Sequence, residues 1–123
     1  MAIDTDKLQE TIRTFVTSTP HVQGAVLATH DGLPVASALS ADIEESRAAA
    51  MAAAVMAISD RIGTELQRGQ MQHITLSGSQ GYSILTLCNS DALLLVLANP
   101  EVKQGILLLE IRRTVADIAS ILN

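Results

Sequence analysis

Apolar positions along this chain switch between a helical and a strand period, and each switch marks an element. From Asp4 to Ser18, Leu8, Ile12, Phe15 and Val16 recur at i, i+4, i+7 and i+8, one stripe of a helix. Asp4 or Thr5 can accept from the first free N–H groups, and Thr19-Pro20 ends the helix because a residue before proline avoids the α region. Two apolar runs follow, Gly24 to Thr29 and Leu33 to Leu39, joined through His30-Asp31-Gly32. Asp31-Gly32 predicts a tight type I′ hairpin, in which both central residues take positive φ. Both parities of these strands are apolar, as in Ala25-Val26-Leu27-Ala28, so helices are expected on both faces of the sheet.

The longest helical segment is Asp42 to Gln67, with Asp42 as the expected N-cap and Glu45 placed to reach back to it. Met51, Val55, Ile58, Ile62 and Leu66 form a stripe expected to lie on the sheet. Beside it run Ala48, Ala52, Met56, Ser59 and Gly63, and the far side of the N-terminal half is Ala49, Ala50, Ala53 and Ala57. Alanine's helix propensity alone is one account of this composition. The other, which we favour, is that a helix with so little polar face is covered on several sides, and a chain of 123 residues has few elements left to do it. A second subunit is therefore expected on the small-residue row. Gly63 weakens such a helix by up to ~1 kcal/mol relative to alanine.

Met71 to Ser77 sets Gln72, Ile74 and Leu76 against Met71, His73, Thr75 and Ser77, the one-sided alternation of an edge strand. Gly78-Ser79-Gln80-Gly81 turns the chain into Tyr82 to Cys88, and Asn89-Ser90-Asp91 turns it into Ala92 to Ala98. That last strand is apolar throughout and is expected at the centre. Asn99-Pro100-Glu101 reads as a helix start, followed by a stripe of Leu108, Ile111, Val115, Ile118 and Leu122. The predicted order is α-β-β-α-β-β-β-α, a three-layer α/β/α domain spanning residues 1–123.

Composition narrows the function. The chain is 48% hydrophobic with a mean hydropathy of +0.31, enough for a core without metal or disulfide, and its one thiol, Cys88, cannot form an internal bridge. The opening MAIDTDKLQE lacks the features of a secretory signal, so a cytoplasmic location is expected. The longest apolar run, Ala48 to Ile58, falls far short of the ~20 residues that cross a bilayer. A net charge of −5 with scattered arginines argues against nucleic acid, and two aromatic residues, Phe15 and Tyr82, offer little to a small-molecule pocket. No phosphate loop, dinucleotide fingerprint, zinc motif or nucleophile elbow is present. His21, His30 and His73 are scattered, and Ser79 has no identifiable base. A His–Asp pair adjacent in sequence lacks a nucleophile, so His30-Asp31-Gly32 is read as turn geometry. The expectation is a non-enzymatic protein with neither cofactor nor metal.

Gly24-Ala25-Val26-Leu27 running into Asp31-Gly32-Leu33-Pro34-Val35-Ala36-Ser37, the alanine-rich long helix, and Gly105-Ile106 before Leu109-Glu110-Ile111-Arg112-Arg113 together resemble the Roadblock family, in particular its bacterial members. The resemblance covers essentially the whole chain. It implies a five-stranded antiparallel sheet, with the long helix on one face and the terminal helices on the other. It also implies a homodimer built on the long helix and the third strand, which here would use Ala48, Ala52, Met56, Ser59, Gly63, Met71, His73 and Thr75. Family members bind or regulate Ras-like small GTPases or serve as scaffold subunits, and Ala49, Ala53, Asp60, Arg61 and Arg68 are the residues expected to face such a partner. A purely structural dimerisation module and a small-ligand sensor domain are the competing readings.

The turn reading has a direct check. Gly32→Val is expected to damage folding, because a β-branched residue resists positive φ, whereas His30→Ala should leave both folding and partner binding intact. Circular dichroism and a binding assay on the two variants decide it: a folded His30→Ala protein that has lost its partner would restore a functional role to this segment.

Overall fold

The structure, a computed structural model, describes residues 3–123. Helix α1 (Thr5–Ser18) starts where Asp4 accepts the Lys7 N–H at 3.0 Å, and it buries Leu8, Ile12 and Phe15 as its spacing predicts. Strands β1 (Val22–Thr29) and β2 (Pro34–Ala38) form the first hairpin. Helix α2 (Glu45–Glu65) then crosses over to β3 (His73–Gly78), β4 (Gly81–Asn89) and β5 (Ala92–Ala98), and α3 (Gln104–Leu122) completes the chain. The strands make one antiparallel sheet in the order β2-β1-β5-β4-β3. β5, the strand without polar positions, lies at its centre.

Strand alternation splits the core in two. Ala25, Leu27, Ile84, Leu94 and Val96 face α1 and α3, while Val26, Ala28, Leu85, Leu93 and Leu95 face α2. The α/β architecture of the sequence reading, with its five strands and element order, is what the chain adopts.

Four local expectations need correction. In the first hairpin only Gly32 has positive φ, at 90°, so the connection is not type I′. The Gly32 N–H donates to the Thr29 carbonyl at 2.9 Å and the Thr29 N–H to the Leu33 carbonyl at 2.8 Å. This is the three-residue form in which an ordinary turn is followed by a left-handed glycine. At α2, Asp42 accepts from Ser40 Oγ at 2.6 Å and Glu45 from Ser37 Oγ at 2.5 Å, so the two acids serve the preceding loop and no capping box forms. At α3, the Asn99 side chain accepts the Glu101 N–H at 3.1 Å in an Asx turn, and the helix begins only at Gln104. Leu107 and Thr114 join Ile111 and Ile118 as its buried residues, with Leu108, Val115 and Leu122 half-buried.

The fourth correction concerns the inward face of α2. Ala48, Ala49, Ala52 and Met56 are buried against the sheet and Gly63 is buried near the helix end, whereas Met51, Ile58, Ile62 and Leu66 are exposed and Val55 is half-buried. Small residues let the helix axis settle close to β1 and β5, and the bulky row is turned about a quarter-turn away. Gly63 makes a separate close approach, to the chain that returns past the helix end. Gln67 takes φ 57°, its N–H donates to the Thr64 carbonyl at 3.3 Å and the Arg68 N–H to the Gly63 carbonyl at 2.7 Å, a Schellman closure of the helix. Gly69 then folds back so that its carbonyl lies on the Gly63 Cα, where a Cβ would collide with it.

The outer edge of β2 is occupied by a side chain. Gln9 of α1 donates from Nε2 to the Ser37 carbonyl at 2.6 Å and accepts the Ser37 N–H at Oε1 at 3.0 Å, filling the place of a neighbouring strand. Among the described hydrogen bonds, none reaches the outer edge of β3 from a side chain.

Helix propensity alone would make Gly63→Ala stabilising by up to ~1 kcal/mol. The collision with Gly69 reverses the sign, and a loss of ~1–3 kcal/mol is expected. Urea denaturation measures it, and a raised midpoint would overturn this account of the α2 terminus.

Candidate functional site

A group of exposed apolar side chains lies on the α2 side of the sheet. Gly32 of the first hairpin sits against Ala50 and Ala53, which fixes that flank of α2 toward the β1–β2 turn. Met51, Ile58 and Ile62 are on the opposite flank, facing the β4–β3 side, and are 59%, 62% and 46% exposed. α2 packs on β1, β2 and β5 and leaves the same face of β4 and β3 only partly roofed. There Ile74 pairs with Leu85 and Leu76 with Ser83, so these side chains share the α2 face. Ile74 and Leu87 are half-buried, and Leu76 is exposed. An apolar helix flank and an apolar strip of sheet thus meet beside an unblocked edge. Contiguous apolar exposure of this kind, unlike single scattered residues, marks contact surfaces.

The residues expected at an interface between copies fall on both sides of this boundary. Ala48, Ala52 and Met56 are buried against their own sheet, and Gly63 is buried under the Gly69 carbonyl. Ser59 is half-buried, and Met71 packs partly against the α2-side core. His73 and Thr75 lie on β3, exposed and half-buried, opposite Thr86 and Ile84 on the α1–α3 face. Of the residues expected to face a partner, Ala49 is wholly buried and Ala53 and Asp60 are half-buried. Arg61 and Arg68 are exposed but tethered: Arg61 pairs with Glu65 at 3.0 Å, one turn on, and Arg68 donates from Nε to the Leu66 carbonyl at 3.0 Å. The sequence reading missed Met51, Ile58, Ile62 and Leu76 as surface residues. For Met51, Ile58 and Ile62 the signal was present as the bulky apolar row of α2, assigned to the sheet because bulk was equated with burial, and for Leu76 as one side of the β3 alternation.

Titratable chemistry is sparse. His30, at the hairpin tip, donates its N–H to the Asp91 carbonyl at 2.9 Å and leaves its side chain exposed. Cys88 on β4 packs against the α1–α3 core, and burial pushes its thiol up to about 12. Among the described residues no group of three His, Cys, Asp or Glu side chains has metal-binding geometry, and no helix is long and apolar enough to cross a membrane.

A five-stranded antiparallel sheet between one long helix and a pair of terminal helices, with this connectivity, is the α/β architecture of Roadblock domains. Residues 8–98 match the Roadblock/LC7 domain model, and the chain belongs to that family. It is 24% identical over 100 residues to the Methanocaldococcus jannaschii protein MJ1340, covering 81% of this chain and 87% of that one. Its fold superimposes on the Roadblock/LC7 domain from Streptomyces avermitilis with a TM-score of 0.87 at 21% identity, over 93% of this chain and 96% of that domain. Myxococcus xanthus MglB gives a TM-score of 0.90 at 16% identity, over 99% of this chain and 92% of that one. The gliding protein MglB from Thermus thermophilus gives 0.83 at 16% identity, over 98% and 93%.

The Cys88 environment makes a sign-specific prediction. A thiol whose folded value is raised from 9.0 to about 12 favours the native state fully below pH 9, and that contribution fades as pH rises from 9 toward 12, because the unfolded thiol ionises first. Stability measured from pH 8 to 11 should therefore fall less steeply in Cys88→Ala than in the parent chain. Equal slopes would show that Cys88 is not held in an apolar setting.

Proposed function

We propose that the chain acts as a homodimer that binds a Ras-like small GTPase and regulates it without contributing a catalytic group. The observation that carries this reading is the apolar surface formed by Met51, Ile58 and Ile62 of α2 with Ile74 and Leu76 of β3, beside the free β3 edge of a Roadblock domain. Pairing two β3 edges would continue the sheet across a two-fold axis and bury both α2 flanks together, a self-complementary contact. The blocked β2 edge makes such pairing one-sided, so it closes as a dimer instead of propagating. In this arrangement Met51, Ile58, Ile62, Ile74, Leu76, Met71, His73 and Thr75 carry the interface.

The GTPase reading rests on family resemblance and on likeness of fold to gliding-motility Roadblock proteins, one of which is described in a tetrameric arrangement. Regulation then needs only a higher affinity for the competent arrangement of the partner's switch segments than for the alternatives. An inserted arginine is disfavoured by geometry, since Arg61 pairs with Glu65 along α2 and Arg68 bonds the Leu66 carbonyl in the turn just past its end. A cytoplasmic location follows from the same reading.

Ile58→Glu would put an unpaired carboxylate into the proposed interface and is expected to give monomers by light scattering at tens of micromolar. Single-turnover hydrolysis by a GTPase partner should lose its stimulation in that variant. Arg61→Ala and Arg68→Ala should each lower stimulated turnover by less than ~10-fold, about 1.4 kcal/mol. A drop of ~10³ with dimerisation intact would establish an arginine finger instead. A dimer that captures no nucleotide-loaded GTPase would point to the scaffold role.

A further inference from the structure

On the face of the sheet away from α2, the C-terminal end of α1 meets the N-terminal end of α3, so the two helices run antiparallel with a trough between them. Two hollows of about 430 and 400 Å³ make up the trough and join at Ser18, Thr19 and Glu110. Along α1 it extends from Lys7 to Ser18, ~16 Å at the helical rise. Its ends differ. At the α3 start Pro20, Val102 and Ile106 over the buried Leu107 form an apolar seat flanked by His21, Glu101 and Lys103, and Ile106 is 59% exposed. Further along, Glu10 on α1 and Glu110 and Asp117 on α3 line it, above Phe15 and Thr114. Glu110 has an exposed ion pair with Arg113 at 3.4 Å, while Glu10 and Asp117 have none among the described residues. Lys7 lines one end and Glu101 and Lys103 offset each other at the other, so the net negative charge falls on Glu10, Glu110 and Asp117 between them.

We propose that this trough docks a basic amphipathic segment of a partner protein, about three helical turns long, with an apolar side chain seated at Val102 and Ile106 and Lys or Arg side chains over Glu10, Glu110 and Asp117. Its length and its pairing of an apolar seat with three carboxylates, of which only Glu110 has an ion-pair partner among the described residues, define the charge pattern of the occupant. A nucleic acid would bring phosphates onto the carboxylates. A second copy placed by a two-fold axis would set this acidic lining against itself. The trough and the α2 surface lie on opposite faces of the sheet, so a segment bound here leaves the proposed dimer and GTPase contacts free.

The test uses the full chain and a fluorescein-labelled Leu/Lys amphipathic peptide of about eleven residues, with a Leu/Glu peptide of the same pattern as its counterpart. Fluorescence anisotropy should show saturable binding of the basic peptide and none of the acidic one, and amide shift changes on binding should map to α1 and α3. Glu10→Lys combined with Asp117→Lys, and separately Ile106→Glu, should each weaken binding by at least ~10-fold, while Asp91→Lys on the β4–β5 turn stays within about twofold. All four positions are exposed, so circular dichroism should report folded variants. Equal binding of the two peptides, shifts on the α2 face, or an Asp91→Lys loss as large as that of the double variant would overturn the proposal.

Discussion

The contact on which the rest of this molecule depends is the bed of alanines between α2 and the sheet. Ala48, Ala49 and Ala52 are almost completely buried against Val26, Ala28, Leu93 and Leu95. With so little side chain between them, backbone and sheet approach closely, and every neighbouring feature adapts to that separation. The first hairpin can bring Gly32 against Ala50 and Ala53 only because neither side projects far. At the other end, the chain returns over α2 so tightly that Gly69 rests on Gly63. Small side chains on the inner face also leave the bulky ones nowhere to go but outward.

That displacement separates the two faces of the protein. The α1–α3 side holds the larger side chains of the interior, Leu8, Ile12, Phe15, Leu107, Ile111 and Ile118, and resembles an ordinary core. The α2 side is thin, and the apolar area it fails to bury is carried on Met51, Ile58 and Ile62. Such area in water is unfavourable by roughly 25 cal/mol per Å², so a cover has a driving force that does not depend on specific polar recognition. The Gln9 clamp on β2 and the bare outer edge of β3 give that cover a direction.

The chemistry is consistent with a surface whose work is contact. The described ion pairs, Arg61–Glu65 and Arg113–Glu110, are exposed pairs one turn apart on a helix, and such pairs contribute only tenths of a kcal/mol. Among the described residues the one large perturbation is at the thiol of Cys88, which burial keeps in its unreactive protonated form. Binding surfaces of this kind work through shape, apolar area and the arrangement of charge, and these are properties that short sequence motifs do not encode.

What the sequence determined by itself is local. The period of Leu8, Ile12 and Phe15, the stop at Thr19-Pro20, the glycine at the hairpin and the unbroken apolar run of β5 each follow from spacing or from the φ a residue tolerates, and they were enough for element order and fold. Even locally, caps were less legible than periods: Asp42, Glu45 and Asn99 are good capping residues, but nearby Ser37, Ser40 and the Glu101 N–H engage them first. Tertiary structure alone decided which side of α2 faces inward, because two adjacent stripes were both apolar and only the space left above β1 and β5 could choose between them. It also decided that Gly63 is a close contact and that Gln9 seals one edge, since each depends on a partner distant along the chain or on a turn whose path the residues do not announce. Periodicity is a property of neighbours in sequence, whereas the choice between two adjacent stripes, one bulky and one small, belongs to the volume available when the elements meet.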